Sequence, residues 1–147
     1  MNWYKTSQIS DIENDNENEN ENKKEVISFD FDSTIVKYEW DETEIDFKKD
    51  FNDNYIYTIN MPIVNLMKEA KASGATVYIV SSRLDKYKSD IEDVVKEYGI
   101  NVDGIYCTNG QNKAPTLKRL GIIRHYDDDP NEINLANKEG IEGIQVY

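Results

Sequence analysis

The chain has 147 residues, 38% hydrophobic and 31% charged, which is enough apolar material for one folded domain and too little length for two ordinary ones. Its formal charge of −12, from 29 acidic against 17 basic residues, disfavours general nucleic-acid binding or attachment to an anionic membrane, both of which need basic surface. One cysteine, Cys107, and one histidine, His125, exclude intramolecular disulfides and any metal cage built from several cysteines or histidines. No apolar run reaches the length of a membrane span and the N-terminus lacks the apolar region of a signal peptide, so a soluble, cytoplasmic protein is expected.

Residues 1–24 include the run DIENDNENENEN, which has almost nothing to bury and reads as a flexible acidic tail. Three lysines against six acids give it −3 and leave −9 of the −12 on the domain expected over 25–147. Trp3 and Tyr4 are the tail's large apolar anchors. Val26-Ile27-Ser28-Phe29 reads as a strand leading into Asp30. Lys37 to Asn60, rich in acids and aromatics (Tyr38, Trp40, Phe47, Phe51, Tyr55 and Tyr57), reads as a hairpin or irregular segment whose rings supply local core more readily than a substrate platform. Asn60 can cap a helix with Pro62 in its first turn and Ile63, Leu66, Met67 and Ala70 on one stripe, ending at Gly74. Val77 to Val80 is a buried-type strand that ends at Ser81-Ser82-Arg83. Tyr87, Ile91, Val94, Val95 and Tyr98 mark a second helix closed by Gly99. A third strand at Ile105–Cys107, a short helix at Thr116–Leu120 and a fourth strand at Ile122–Tyr126 follow. Asp129 can cap a last helix that starts at Pro130 and stops at Gly140, before a final strand at Ile144–Tyr147. This alternation predicts a Rossmann-like, doubly wound α/β fold of about five parallel strands with helices on both faces.

In such a sheet, ligands bind beyond the carboxyl ends of the strands. Strand one delivers Asp30-Phe31-Asp32-Ser33-Thr34 to that edge, strand two delivers Ser81, the loop before strand four carries Lys113, and strand four ends in Asp127-Asp128-Asp129. Carboxylates gathered this closely repel by about 4 kcal/mol per near pair at an effective dielectric near 20, so a cation must offset them. With oxygen ligands and no histidine cluster, the hard cation Mg²⁺ fits best. Asp129 reads mainly as a helix cap. A Cys107–His125 nucleophile pair is disfavoured because His125 lies within its strand and not at its tip.

The segments VISFDFDST, VYIVSSR, Lys113 and RHYDDDP, in this order, resemble the four motifs of the haloacid dehalogenase-like (HAD) superfamily of phosphohydrolases. Ser33 stands where many members have Gly, and Ser81 where Thr is more frequent. The resemblance implies an Mg²⁺-dependent phosphomonoesterase in which Asp30 takes the phosphoryl group as an acyl phosphate and Asp32 is general acid and then general base. It implies Mg²⁺ held by the side chains of Asp30 and Asp127, the main-chain carbonyl of Asp32 and Asp128, with phosphate oxygens held by Ser81 and Lys113. Lys118 competes with Lys113 for that place but falls inside a short helix. Main-chain N–H groups from Phe31 to Thr34 are further candidate donors. Arg83 reads equally as a surface arginine or as a contact to phosphate or to a carboxylate of the 37–60 segment.

The intervals between these motifs leave no room for a large cap domain. By the same resemblance, an open site suits a phosphorylated substrate that is a nucleotide, a polynucleotide end, a phosphoprotein or a small metabolite, and Arg83, Lys86 and Lys88 with Lys113, Lys118 and Arg119 are candidates for a local basic rim. The alternative is a non-catalytic phosphate-sensing or interaction module of the same fold. A receiver-like module is disfavoured because the candidate phosphorylated aspartate follows the first strand.

Overall fold

The computed structural model describes residues 24–38 and 57–147. Lys24 apart, the expected tail lies outside them, as do Trp40, Phe47, Phe51 and Tyr55. Five parallel strands form the main sheet: β1 (Val26–Phe29), β4 (Thr76–Ser81), β5 (Gly104–Cys107), β6 (Arg124–Asp127) and β7 (Glu142–Gln145), in the order β5-β4-β1-β6-β7. Among the described residues, four α-helices connect them: α1 (Met61–Ala72), α2 (Lys88–Glu97), α3 (Ala114–Arg119) and α4 (Pro130–Lys138). A two-stranded antiparallel ribbon, β2 (Val36–Tyr38) and β3 (Tyr57–Ile59), pairs Val36 with Ile59 and Tyr38 with Tyr57, so the ends of the 37–60 segment do form hairpin strands.

The chain winds from β1 through β4 to β5, crosses back over the sheet to β6, and ends at β7. Because parallel crossovers are right-handed, the two halves place their helices on opposite faces. The core divides accordingly. Ile27, Phe29, Val77 and Ile79 pack with Ile63, Val64 and Met67 of α1 and Ile91, Val94 and Val95 of α2. Val80 packs on the other side with Leu117 of α3 and Ala136 of α4. Strand alternation explains why adjacent residues Ile79 and Val80 serve different faces.

Several element boundaries differ from the sequence-based expectation, each for a local reason. Tyr87 belongs to a 3₁₀ turn, Asp85–Tyr87, and α2 starts at Lys88. Asn109 accepts from the Asp85 N–H while the N–H groups of Asn109 and Gly110 donate to Arg83 and Ser82, which pins this turn before the helix can begin. Strand β6 starts at Arg124, two residues late, where pairing with Ile27 begins. Strand β7 is 142–145 because its partners are Arg124 to Asp127. Helix α3 starts at Ala114, earlier than expected, which puts Lys113 at its N-cap. Asp129 caps α4 by accepting from the Asn131 N–H. Asn60, at the N-cap of α1, makes no side-chain cap; its Nδ2 donates instead to the Thr34 carbonyl and ties the helix start to the turn after β1.

Candidate functional site

Chain reversal between the two halves falls between β1 and β6, and the carboxyl ends of these neighbouring strands form the switch point where open α/β sheets bind ligands. Asp30 immediately follows β1, and its N–H donates to Tyr126 O of β6. Asp127 is the last residue of β6. Sheet register therefore brings the two carboxylates together, and both are buried.

The Lys113 ammonium, also buried, lies 2.8 Å from Asp30 Oδ1 and 2.7 Å from Asp127 Oδ2. Its backbone N–H donates to Glu132 of α4, which anchors the start of α3 beside the acids. Lys118 points elsewhere and pairs with exposed Glu139. Burial alone would favour the neutral amine, but Asp30 and Asp127 outweigh it and hold the Lys113 pKa above the ordinary lysine value. Burial pushes Asp30 well above the usual carboxylate range, with Lys113 opposing and Asp127 adding to the rise. Asp127 stays well below that range despite its own burial, because His125 and Lys113 both favour its anion. Asp128 is raised by burial and by Asp127, against an opposing hydrogen bond with Asp30.

His125 is a neighbour of the site that the sequence offered only as a lone histidine and as a disfavoured partner for Cys107. It is fully buried, with Nδ1 2.7 Å from Ser28 Oγ and Nε2 2.8 Å from Asp127 Oδ2. A carboxylate only accepts, so Nε2 carries the proton and Nδ1 accepts from the Ser28 hydroxyl. The β1–β6 register pairs Ser28 directly with His125, which makes this contact a product of the sheet. Burial holds the His125 pKa below its usual value, with Lys113 adding to the fall and Asp127 opposing it. Cys107 sits on β5, three strands from β6 and thus about 14 Å away at roughly 4.8 Å per strand, too far for a Cys–His pair.

Asp32 lies two residues beyond Asp30, just before the turn in which Ser33 adopts the left-handed φ of 67°. This conformation, favourable for Gly, accounts physically for the Gly that the resemblance places at that position. The Arg83 guanidinium meets the Asp32 carboxylate bidentately, Nε to Oδ2 and Nη2 to Oδ1 at 3.0 Å each, and the Tyr38 hydroxyl donates to Oδ1. Arg83 is thus buried and salt-bridged, which corrects its reading as a surface arginine. Tyr38 packs at the edge of the larger core and also touches a site carboxylate, a role beyond the local core expected of it. Neither contact has a signature in sequence spacing.

Ser81 is buried at the end of β4, where its Oγ accepts from the Arg83 N–H; Ser82 lines the cleft beside it. Thr34 Oγ1 donates to Asp30 Oδ2 at 3.3 Å. The Thr34 N–H turns back to Phe31 O, so it is spent within the turn and is not the cleft donor the sequence suggested. The cleft, about 580 Å³, is lined by Asp30, Asp32, Lys113, Asp127 and Asp128 together with Ser33, Arg83, Asp129, Pro130 and Glu132.

Asp30, Asp127 and Asp128 each offer a carboxylate oxygen within 4.8 Å of the others. Three hard oxygen donors, two of them buried beside one ammonium, match Mg²⁺ in ligand type and in the charge they need neutralised. The Asp32 carboxylate is not in that group and is occupied by Arg83 and Tyr38.

The fold is similar to that of a chain in the Pnkp1/Rnl/Hen1 complex, with TM-score 0.68 and 21% identity over 84% of this chain and 45% of that one. A second structure, of the Pnkp1/Rnl/Hen1 RNA repair complex, gives TM-score 0.66 and 20% identity over 84% of this chain and 42% of that one. A HAD family enzyme from Bacteroides thetaiotaomicron, solved as an aspartate-to-alanine mutant with magnesium and inorganic phosphate, matches with TM-score 0.56 and 10% identity over 85% of this chain and 95% of that one. No family model matches the sequence, and no curated protein matches it. At these identities the likeness is one of fold: the chain has a HAD-like, Rossmann-like α/β architecture. It spans less than half the length of the chains it matches in the RNA repair complex. Among the described residues, no helix is long and apolar enough to cross a membrane.

Proposed function

We propose that the protein is a Mg²⁺-dependent phosphomonoester hydrolase that works through an aspartyl-phosphate on Asp30. The observation that carries this reading is the buried Lys113 ammonium joined to both Asp30 and Asp127 at the switch point. An acid cluster built around a cation is a site prepared for an anion whose charge must be shared among cations. The fold shared with a HAD family enzyme that was crystallised with magnesium and phosphate supports the same reading.

Asp30, Asp127, Asp128 and the main-chain carbonyl of Asp32 would hold Mg²⁺, which would screen the carboxylates from the incoming phosphate and favour the Asp30 anion. Lys113 and Ser81 hold phosphate oxygens. The Asp30 carboxylate attacks phosphorus as the ester P–O bond breaks, and Asp32, which for this step must carry a proton in exchange for one of its contacts to Arg83 or Tyr38, delivers that proton to the departing alcohol oxygen. Asp32, now a carboxylate, takes a proton from water; that water attacks phosphorus, the Asp30–phosphorus bond breaks, and inorganic phosphate leaves with Asp30 restored. His125 holds Asp127 in the orientation this arrangement needs.

The cleft has no large covering domain among the described residues, which suits a nucleotide, a polynucleotide end or a phosphoprotein. The likeness to a chain of an RNA repair complex favours a polynucleotide end among these.

Hydrolysis of p-nitrophenyl phosphate tests the reading. Turnover is expected with Mg²⁺, abolished by EDTA, and reduced at least about 10³-fold in Asp30→Asn. Turnover without metal, or undiminished turnover in Asp30→Asn, overturns it. Phosphate binding without turnover in the wild type favours the non-catalytic module.

A further inference from the structure

The reaction above assigns no task to the most heavily engaged buried cation near the cleft, Arg83. Its Nε and Nη2 grip Asp32, while its Nη1 donates to Asp90 Oδ2 at 3.0 Å and to the Tyr87 carbonyl at 3.4 Å. Its guanidinium also lies over the Phe31 ring, 5.3 Å from the centroid. Asp90 is buried on the face of α2 that otherwise carries Ile91, Val94 and Val95. A carboxylate there is costly unless it is paired, and the partner it meets is Arg83. The row Asp90–Arg83–Asp32 thus runs from the body of the domain to the mouth of the cleft.

We infer that Arg83 is a positioning residue for Asp32 and that Asp90 holds Arg83 in place. The inference rests on the reading of Asp32 as the proton donor to the leaving group. Asp32 makes an isolated bridge to Val36 but belongs to no strand or helix, so regular backbone pairing does not by itself fix where its carboxylate points. A general acid must lie within hydrogen-bond reach of the leaving oxygen, and a displacement of about 1 Å costs on the order of 100-fold. A planar fork with two bonds fixes both the place and the plane of the carboxylate, which a single ammonium cannot do. Asp90 and the Tyr87 carbonyl hold the far end of the fork, and Phe31, between Asp30 and Asp32 in the chain, supports its face.

A purely structural role for Arg83 would weaken the enzyme equally toward every substrate, whereas misplacing an acid harms most the substrates whose leaving group needs a proton. The test is kcat/KM with Mg²⁺ for phenyl phosphate and for dinitrophenyl phosphate, whose leaving group departs without protonation. Wild type, Asp32→Asn, Arg83→Lys, Asp90→Asn and the Arg83→Lys/Asp32→Asn double variant are compared, with circular dichroism to verify folding. Asp32→Asn should lose about 100-fold or more on phenyl phosphate and far less on dinitrophenyl phosphate. Arg83→Lys should show the same selective loss, at least about tenfold larger on phenyl phosphate, and Asp90→Asn a smaller loss of the same kind. The double variant should be little worse than Asp32→Asn alone on phenyl phosphate. Should Arg83→Lys fail to fold, Asp90→Asn, which keeps the shape and an acceptor oxygen, decides the matter. Equal losses on both substrates in the folded variants, or additive losses in the double variant, overturn the inference while leaving the Asp32 reading intact. Equal losses in Asp32→Asn itself overturn that reading and the inference with it.

Discussion

Lys113 and Asp30, 83 positions apart in sequence, are joined by a 2.8 Å ion pair in which both side chains are buried. The same ammonium reaches Asp127, so one lysine separates two carboxylates that burial has stripped of water. Removing it exposes the repulsion it offsets. Breaking a buried pair from one side costs about 3–5 kcal/mol because a charge is left uncompensated. Lys113→Ala should therefore lower stability by that order in EDTA, and Mg²⁺ should recover more stability in the variant than in wild type, as read by urea unfolding with and without the metal. Activity should fall at least about 100-fold, since a donor to the developing phosphoryl charge is lost. Equal effects of Mg²⁺ on both proteins would contradict the shared location of lysine and metal.

The pH dependence follows from Asp30. Burial raises its pKa, Lys113 opposes, and Asp127 adds to the rise, so the protein alone resists the anion that attack on phosphorus needs. As pH falls through this raised value, Asp30 takes up a proton and kcat/KM drops. A divalent cation on the same carboxylate favours the anion. The acid limb of the kcat/KM profile should accordingly move to lower pH as Mg²⁺ is raised. A limb in the same place at low and saturating Mg²⁺ would contradict the assignment of Asp30 to both nucleophile and ligand.

His125 should matter to both stability and rate. Its Nε2–H holds Asp127, and its other nitrogen accepts from Ser28. Replacement by Gln leaves one or both partners short, at about 1–3 kcal/mol, and a loss of this kind beside a metal ligand costs about 10–100-fold in activity or metal affinity. Because burial lowers its pKa in the folded state, His125 contributes stability that is complete above its unfolded value of about 6.5 and is lost as pH falls below it. Wild type should lose stability on going from about pH 7 to pH 5 with a slope that His125→Gln lacks. Parallel slopes in urea unfolding would show that His125 does not titrate in this way.

The gathering of Asp30, Asp32, Asp127 and Asp128 was legible because each stands at or just past the end of an apolar strand, and parallel topology sends those ends to one edge; Lys113, at the N-cap of α3, was legible as a loop lysine between the third and fourth expected strands. The paired roles of Ser28 and His125 were not legible: they depend on which strands neighbour each other and in what register, and β1 pairs with β6 across 97 positions. The same holds for Arg83. Its spacing from Ser81 marked the end of a strand, but its contact with Asp32 depends on β4 lying beside β1, and its hold on Asp90 on a 3₁₀ turn that no periodicity announced. Asn60 looked like a cap by residue type, yet tertiary structure offered its amide the Thr34 carbonyl instead.

The central claim concerns a covalent bond, and the most direct measurement looks for it. The protein is mixed with p-nitrophenyl phosphate and Mg²⁺, quenched in acid during turnover, and its peptides are weighed. The expected result is the mass of one phosphoryl group on the peptide carrying Asp30, removed by hydroxylamine as an acyl phosphate is, and absent from Asp30→Asn. Turnover with no such adduct, or an adduct on any other residue, would contradict it.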